Sequence, residues 1–266
     1  MSTAKGFSGI ADDSQPNAGR IYDFLLGGSH NFEIDRQAAQ QILQMAPFMP
    51  QVCRLIRWFL GDATQRLLDE GFTKFLDFAS GLPTVDHIHQ IAPKGSKVIY
   101  SDIDPVTVAY AQKIIEGESN ILFEQCDAGK PEQLLNSGVV EKLFGDDRKV
   151  AIGFNGIAWF LSDEEIAHSM KTLYEWAAEG AKLFLCDGEA TTPTPELEQF
   201  AEFYKNIGQP VYNRTREGLL DLIGKWTVED PGFRLLEEWI DMDEDITDKI
   251  KETWSGGGFY GAILKK

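Results

Sequence analysis

At 266 residues, 43% of them hydrophobic, the chain is long enough to bury a sizeable core and reads as one large domain with additions. Forty-two acidic against 25 basic residues give a formal net charge of −17 at pH 7, which repels phosphate backbones and anionic membrane surfaces and argues against nucleic-acid or membrane partners. Cys53, Cys126 and Cys186 are scattered and expected to be reduced and buried; with no apolar run near the ~20 residues of a membrane span and no apolar centre in residues 1–19, a cytoplasmic protein is expected.

Arg20-Ile21-Tyr22-Asp23-Phe24-Leu25-Leu26 makes an apolar turn that runs into Gly27, Gly28 and the polar Ser29-His30-Asn31. A helix stop at Gly27 with Asn31 capping the next helix explains this, but two glycines and three hydrogen-bonding side chains leave a ligand role equally open. Residues 32–45 are expected to be helical, stopped by Pro47. Val52, Leu55, Ile56, Phe59, Leu60, Ala63, Leu67 and Leu68 then recur at the spacing of an amphipathic helix, with Arg54, Arg57, Asp62 and Arg66 between them as its solvated face.

After Gly71, Lys74-Phe75-Leu76-Asp77-Phe78 reads as a strand buried on both faces, ending in Ala79-Ser80-Gly81. Asp77 is the misfit: a carboxylate there needs a polar partner, from a neighbouring amide or from a ligand approaching the small residues that follow. His87 and His89 lie on a short predicted helix, where residues two apart point to different sides, which argues against a shared metal.

Residues 97–100 form a second strand running into Ser101-Asp102-Ile103-Asp104-Pro105. Asp104 before proline is an N-cap, whereas Asp102, 21 positions after Gly81, lies where an acid in a nucleotide-binding α/β unit meets ribose hydroxyls. Residues 121–125 make a third strand leading to Cys126-Asp127-Ala128-Gly129, and residues 150–154 a fourth ending at Asn155-Gly156. Ser162 and Glu165 cap a helix over 163–178, and residues 182–187 are the fifth strand. Helices at 196–207 and 216–223 are expected above the sheet, where Phe200, Phe203, Tyr204, Tyr212 and Trp226 either line a substrate pocket or simply pack. Residues 233–240 and 258–264 close the chain as strands around an acidic loop containing Asp241, Asp243, Glu244, Asp245 and Asp248.

Five strand–helix alternations imply a parallel sheet with helices on both faces and ligands beyond the strands' carboxyl ends, where Asp77, Ala79-Ser80-Gly81, Asp102, Asp127 and Asn155 all fall. The loop after the first strand lacks the Gly-x-Gly-x-x-Gly that cradles a pyrophosphate, so a cofactor without phosphates fits better.

At these residues the chain resembles the class I S-adenosylmethionine-dependent methyltransferases. More narrowly it resembles a bacterial S-adenosyl methyltransferase family once catalogued as a domain of unknown function, through the block Arg20 to Gly28 with Asn31-Phe32 and Asp35-Arg36, then Phe75-Leu76-Asp77, Gly81-Leu82-Pro83-Thr84 and His89. The resemblance implies an α/β, Rossmann-like, seven-stranded, mostly parallel sheet with an antiparallel C-terminal strand. Residues 1–72 would be an N-terminal helical extension and cofactor lid, and residues 73–266 the cofactor-binding core, with substrate-side helices inserted around 190–226. It further implies S-adenosylmethionine as cofactor and a small-molecule methyl acceptor. Asp77 would support the cofactor's amino-acid end, Ala79, Ser80 and Gly81 would lie against it, Asp102 would hold the ribose, Ile103 would pack on adenine, and Asp127 beside Ala128 would bond the adenine amine. Arg20, Tyr22, Gly27, Gly28 and Asn31 would fold over the methionine end. The class pattern has glycine at the position of Ala79.

Methyl transfer from a sulfonium is an in-line displacement in which positioning supplies much of the acceleration, so no catalytic residue need announce itself; His30, Asn155 and Glu189 are the acceptor-side candidates. An NAD(P)-dependent oxidoreductase shares the ribose-binding acid but lacks the glycine fingerprint here. A cofactor-binding regulator without turnover is the reading from outside enzymology.

Overall fold

The computed structural model describes residues 14–84, 86–190, 194–239 and 257–266. Three helices precede the sheet: α1 (Ala18–Leu25), α2 (Glu33–Met45) and the 21-residue α3 (Met49–Asp69). Then follow β1 (Lys74–Asp77), α4 (Ile88–Ile91), β2 (Lys97–Asp102), α5 (Pro105–Ile114), β3 (Ile121–Gln125), α6 (Glu132–Leu135), α7 (Val139–Phe144), β4 (Ala151–Asn155), a 3-10 turn (Ala158–Phe160), α8 (Asp163–Trp176) and β5 (Lys182–Glu189). The chain finishes with α9 (Pro195–Asn206), α10 (Arg216–Leu222), β6 (Thr227–Val228), β7 (Arg234–Leu235), α11 (Leu236–Trp239) and β8 (Gly258–Lys265).

The eight strands form one sheet in the order β3-β2-β1-β4-β5-β8-β6, with β7 also on β8. Strands β1 to β5 are parallel, and β8 runs antiparallel to β5. This is the Rossmann-like, mostly parallel sheet with an antiparallel C-terminal strand. The eighth strand arises because the segment expected as one strand over 233–240 contributes only Arg234–Leu235 before turning into α11, while Thr227–Val228 adds a short edge strand. Ile240 and the acidic residues from Asp241 to Asp248 lie outside the described residues.

Alternate residues of each central strand point to opposite faces. Phe75, Tyr100 and Phe184 join α1, α2, α3, α5 and α9 in one core layer, and Leu76, Ile99, Ile152 and Leu183 join α7, α8 and α10 in the other. That two-sided burial is why β1 reads as continuous apolar sequence. Strand order reverses between β1 and β4, so a crevice opens above their carboxyl ends. No helix among the described residues is long and apolar enough to cross a membrane.

Candidate active site

A cavity of about 430 Å³ occupies this crevice, within the range of small-molecule sites. Asp77, the last residue of β1, forms part of its floor at 1% exposure. The facing residue of β4 is Gly153, where a Cβ would run into the Asp77 carboxylate and the Phe184 ring, so only glycine gives this acid room. Burial pushes the Asp77 carboxyl up to about 7, partly offset by the Arg57 guanidinium and reinforced by Asp102. Its Oδ2 is buried with no hydrogen-bond partner among the described residues.

Arg57 stands on the same wall and departs from the sequence reading: it is 8% exposed and turned inward from α3, not part of a solvated face. Its Nη1 donates to His87 Nε2 at 2.8 Å, its guanidinium lies 5.3 Å from the centre of the Tyr22 ring, and its Nε has no hydrogen-bond partner among the described residues. His87 therefore accepts and is neutral, in keeping with a pKa driven well below the ordinary value by burial and by Arg57. His87 and His89 do converge, but on Tyr100, whose hydroxyl lies 2.8 Å from His89 Nδ1.

The loop after β1 is strained where a ligand would meet it. Ala79 adopts φ 50° and Gly81 φ 64°, and Ser80 N–H donates to the Ser101 carbonyl. Asp102 braces two loops at once, accepting from Gly81 N through Oδ2 at 3.1 Å and from Asp104 N through Oδ1 at 3.0 Å. Burial pushes its carboxyl up to about 6. Ile103 beside it is 55% exposed and lines the cavity, an apolar surface on which a ring could rest. Asp127 accepts from Gly129 N at 2.9 Å and pairs with Lys130; Ala128 completes that side. Asn155 also lines the cavity, but both ends of its amide are used, Nδ2 donating to the Ile56 carbonyl and Oδ1 accepting from Cys186 Sγ.

The N-terminal arm divides into wall and brace. Asn17, Ala18, Gly19, Tyr22 and Leu25 line the cavity, with the Tyr22 hydroxyl donating to the Cys53 carbonyl. The structure places Arg20, Gly27, Gly28 and Asn31 off the wall, each with a structural task. Arg20 is buried in ion pairs with Asp35 (2.8 Å) and Asp104 (2.9 Å), riveting the arm to the loop after β2. Gly27 holds φ 83°, which ends α1. At Gly28 a Cβ would overlap Asp23, whose carboxylate accepts from Asn31 Nδ2 and His30 N. Asn31 does not cap α2; Asp35 reaches back to Phe32 N instead.

Residues 208–212 roof the opposite side, and Gln209 Oε1 accepts from Ala18 N at 2.7 Å, joining roof to arm. Trp159, Phe160, Phe200, Tyr204, Tyr212 and Phe259 line this end. Phe203 and Trp226 are not on the wall; the Trp226 indole donates to the Met170 carbonyl in the core. Neither acceptor-side candidate His30 nor Glu189 lines the cavity; Glu189 pairs with Arg216 at 3.4 Å in a separate recess. Trp159 and Phe259 had no periodic signal to mark them, since one lies in a 3-10 turn and the other near the start of an edge-paired strand.

The donor set suits S-adenosylmethionine. A carboxylate and a guanidinium that both line the cavity, each with one buried atom unpartnered among the described residues, match a ligand end that carries both ammonium and carboxylate. An exposed isoleucine between two acids matches a purine nucleoside. In comparisons with known proteins, a family model described as S-adenosyl methyltransferase matches residues 6–263. A candidate methyltransferase from Thermobifida fusca YX has a similar structure, with 26% identity, 99% of each chain covered and a TM-score of 0.88. A DUF574 family protein from Streptomyces avermitilis is similar at 25% identity over 96% of this chain and 99% of its own, with a TM-score of 0.85. Geranyl diphosphate C-methyltransferase from Streptomyces coelicolor, solved with S-adenosyl-L-homocysteine, shares the fold at 9% identity over 76% of this chain and 79% of its own (TM-score 0.52). No curated protein sequence matches the chain.

Proposed function

Because the chain belongs to the S-adenosyl methyltransferase family and is a SAM-dependent methyltransferase, we propose that it methylates a small molecule held between the cofactor and the aromatic end of this cavity. The observation that carries the site assignment is that Asp77 and Arg57 both line one crevice at the sheet's switch point, each with a buried side-chain atom, Oδ2 and Nε, that has no hydrogen-bond partner among the described residues.

Arg57 binds the cofactor's carboxylate and Asp77 its ammonium, so each buried group gains the partner it lacks. Asp102 orients the ribose while keeping the loops after β1 and β2 in register through its two backbone amide bonds. Ile103 supports the adenine face, and Asp127 takes its amine. The bound cofactor supplies an electrophilic methyl group on a sulfonium. The chain's own residues align acceptor and methyl, and the arm and the 208–212 roof exclude water. Residues 1–72 serve in this reading as a lid-bearing extension of the 73–266 core, with the 190–226 insertion on the acceptor side. Three buried free thiols accord with a reducing, cytoplasmic setting.

Calorimetric titration tests the assignment. Saturable binding of S-adenosylmethionine and S-adenosylhomocysteine is expected, with no heat from NAD. Absence of binding to either sulfur ligand, or saturable NAD binding in their place, overturns it.

A further inference from the structure

With the cofactor placed as proposed for this site, the charged side chains of the cavity are all committed. Arg57, Asp77, Asp102 and Asp127 face the cofactor's own groups. Glu165, the remaining charged wall residue, has Oε2 bonded to Ser162 N and Oγ at 2.8 Å and sits beside Gly129, next to the adenine side. The end left for the acceptor presents Trp159, Phe160, Phe200, Tyr204, Tyr212 and Phe259. It is built rigidly. Trp159 stacks on Phe259 with centroids 5.0 Å apart at 11°, and a Cβ at Gly188 would coincide with its ring. Phe200 meets Trp159 edge-on at 6.3 Å, Tyr204 packs on Phe200 at 4.9 Å and on Phe160 at 5.6 Å, and Tyr212 N bonds the Trp159 carbonyl at 2.8 Å.

Two physical consequences follow. The described wall carries Asp77, Asp102, Asp127 and Glu165 against Arg57, and even with Asp127 paired to Lys130 this acidic balance disfavours an anionic acceptor; among the described residues no cationic side chain lines the aromatic end, the Arg214 guanidinium lying against the Tyr212 ring but off the wall, held by Asp163 and Asp187. Among the described residues no carboxylate or imidazole lines that end to take a proton either, and burial raises the Tyr204 phenol, which keeps it neutral. Aromatic faces, by contrast, stabilise a cation formed against them.

We propose that the acceptor is an uncharged, flat molecule with a nitrogen or sulfur lone pair that needs no deprotonation, and that the product is an onium cation cradled by the aromatic wall. In the step, the lone pair forms the new bond to the methyl carbon while the carbon–sulfur bond of the cofactor breaks. That bonding pair stays on sulfur, so the positive charge moves from sulfonium to the methylated atom and no proton changes hands.

The probes are quinoline and thioanisole against quinoline-4-carboxylate and 4-(methylthio)benzoate, titrated into enzyme saturated with S-adenosylhomocysteine and incubated with enzyme and S-adenosylmethionine. Neutral probes are expected to bind at least about tenfold tighter than their carboxylates and to yield N-methylquinolinium or dimethylphenylsulfonium by mass spectrometry. Tyr212→Ala, on the half-buried roof, and Tyr204→Leu are expected to weaken probe binding about tenfold with S-adenosylhomocysteine affinity retained. Equal or tighter binding of the carboxylates overturns the proposal, as does normal S-adenosylhomocysteine binding with no neutral probe bound or methylated. Loss of S-adenosylhomocysteine binding by the unmodified protein instead removes the cofactor assignment on which the acceptor end depends.

Discussion

Ala79 carries a glycine's backbone. A non-glycine residue at φ 50° costs about 1–2 kcal/mol, and Ala79 bears that cost at the point where β1 gives way to the loop that lines the cavity. Ala79→Gly removes the strain but frees the unfolded chain by about 0.4–1 kcal/mol, so stability is expected to change by less than about 1 kcal/mol, with cofactor affinity retained. Ala79→Val, β-branched and poorly tolerated at positive φ, is expected to cost more than about 2 kcal/mol. Denaturant unfolding of both variants checks this. Asp77 predicts a pH effect. Its carboxyl is raised to about 7, so the unliganded fold holds a proton that the unfolded chain has already released, and this group's contribution to stability is lost as pH rises from about 4 towards 7. A ligand ammonium prefers the ionised form. Affinity for S-adenosylhomocysteine is therefore expected to rise with pH through about 7 and to fall only at higher pH as the ligand's amine deprotonates, and Asp77→Asn should flatten the acid limb in a calorimetric pH series. Asp77 was legible in sequence as an acid misplaced in an apolar strand. Arg57 was not, because helical spacing alone put it between apolar positions and only the His87 ring seated against it shows that it points inward.

Among the elements, those with strong local signals are where the sequence puts them. The Ser162–Glu165 capping box and the Asp104 cap with Pro105 are local devices, and the five buried strands announce themselves as apolar runs even though their pairing is long-range. Two-residue strands β6 and β7, the six-residue α7 and the 3-10 turn are too short to carry a period and form because β8 and the core layers receive them. The Arg20 block illustrates a motif legible as special but not as to its task. Glycine pairs and polar side chains look alike whether they hold a ligand or hold one another, and here Gly28 makes way for Asp23, while Arg20 bridges Asp35 and Asp104. Arg20→Met leaves the fully buried Asp35 with its backbone bonds from Asn17 N and Phe32 N but without its countercharge, and is expected to lower stability by about 3 kcal/mol, read by urea unfolding. Weaker cofactor binding should accompany it, since the arm loses its rivet to the loop after β2. At the other end of the cavity, Gly188→Ala is expected to displace Trp159 and reduce acceptor binding before it affects S-adenosylhomocysteine, measurable as a split between the two dissociation constants.

At the scale of the molecule, the strand reversal between β1 and β4 gathers onto one crevice residues that lie far apart in the chain, from Asn17 in the arm to Phe259 in the last strand. Sequence periodicity identified the parallel core and the strand-end acids, but the roof over them depends on contacts such as Ala18 to Gln209, 191 positions apart, which no local pattern encodes. The central claim is that Asp77 and Arg57 together recognise the amino-acid end of the cofactor. The most direct test compares S-adenosylhomocysteine with 5′-methylthioadenosine, which lacks that end, by calorimetry on the unmodified protein and on Arg57→Gln. A pair of charge-assisted contacts worth about 1.5–3 kcal/mol each predicts a preference for S-adenosylhomocysteine of at least about 100-fold, most of it lost in Arg57→Gln while 5′-methylthioadenosine binds as before. Equal affinity of the unmodified protein for the two ligands, or an equal loss for both in the variant, would contradict it.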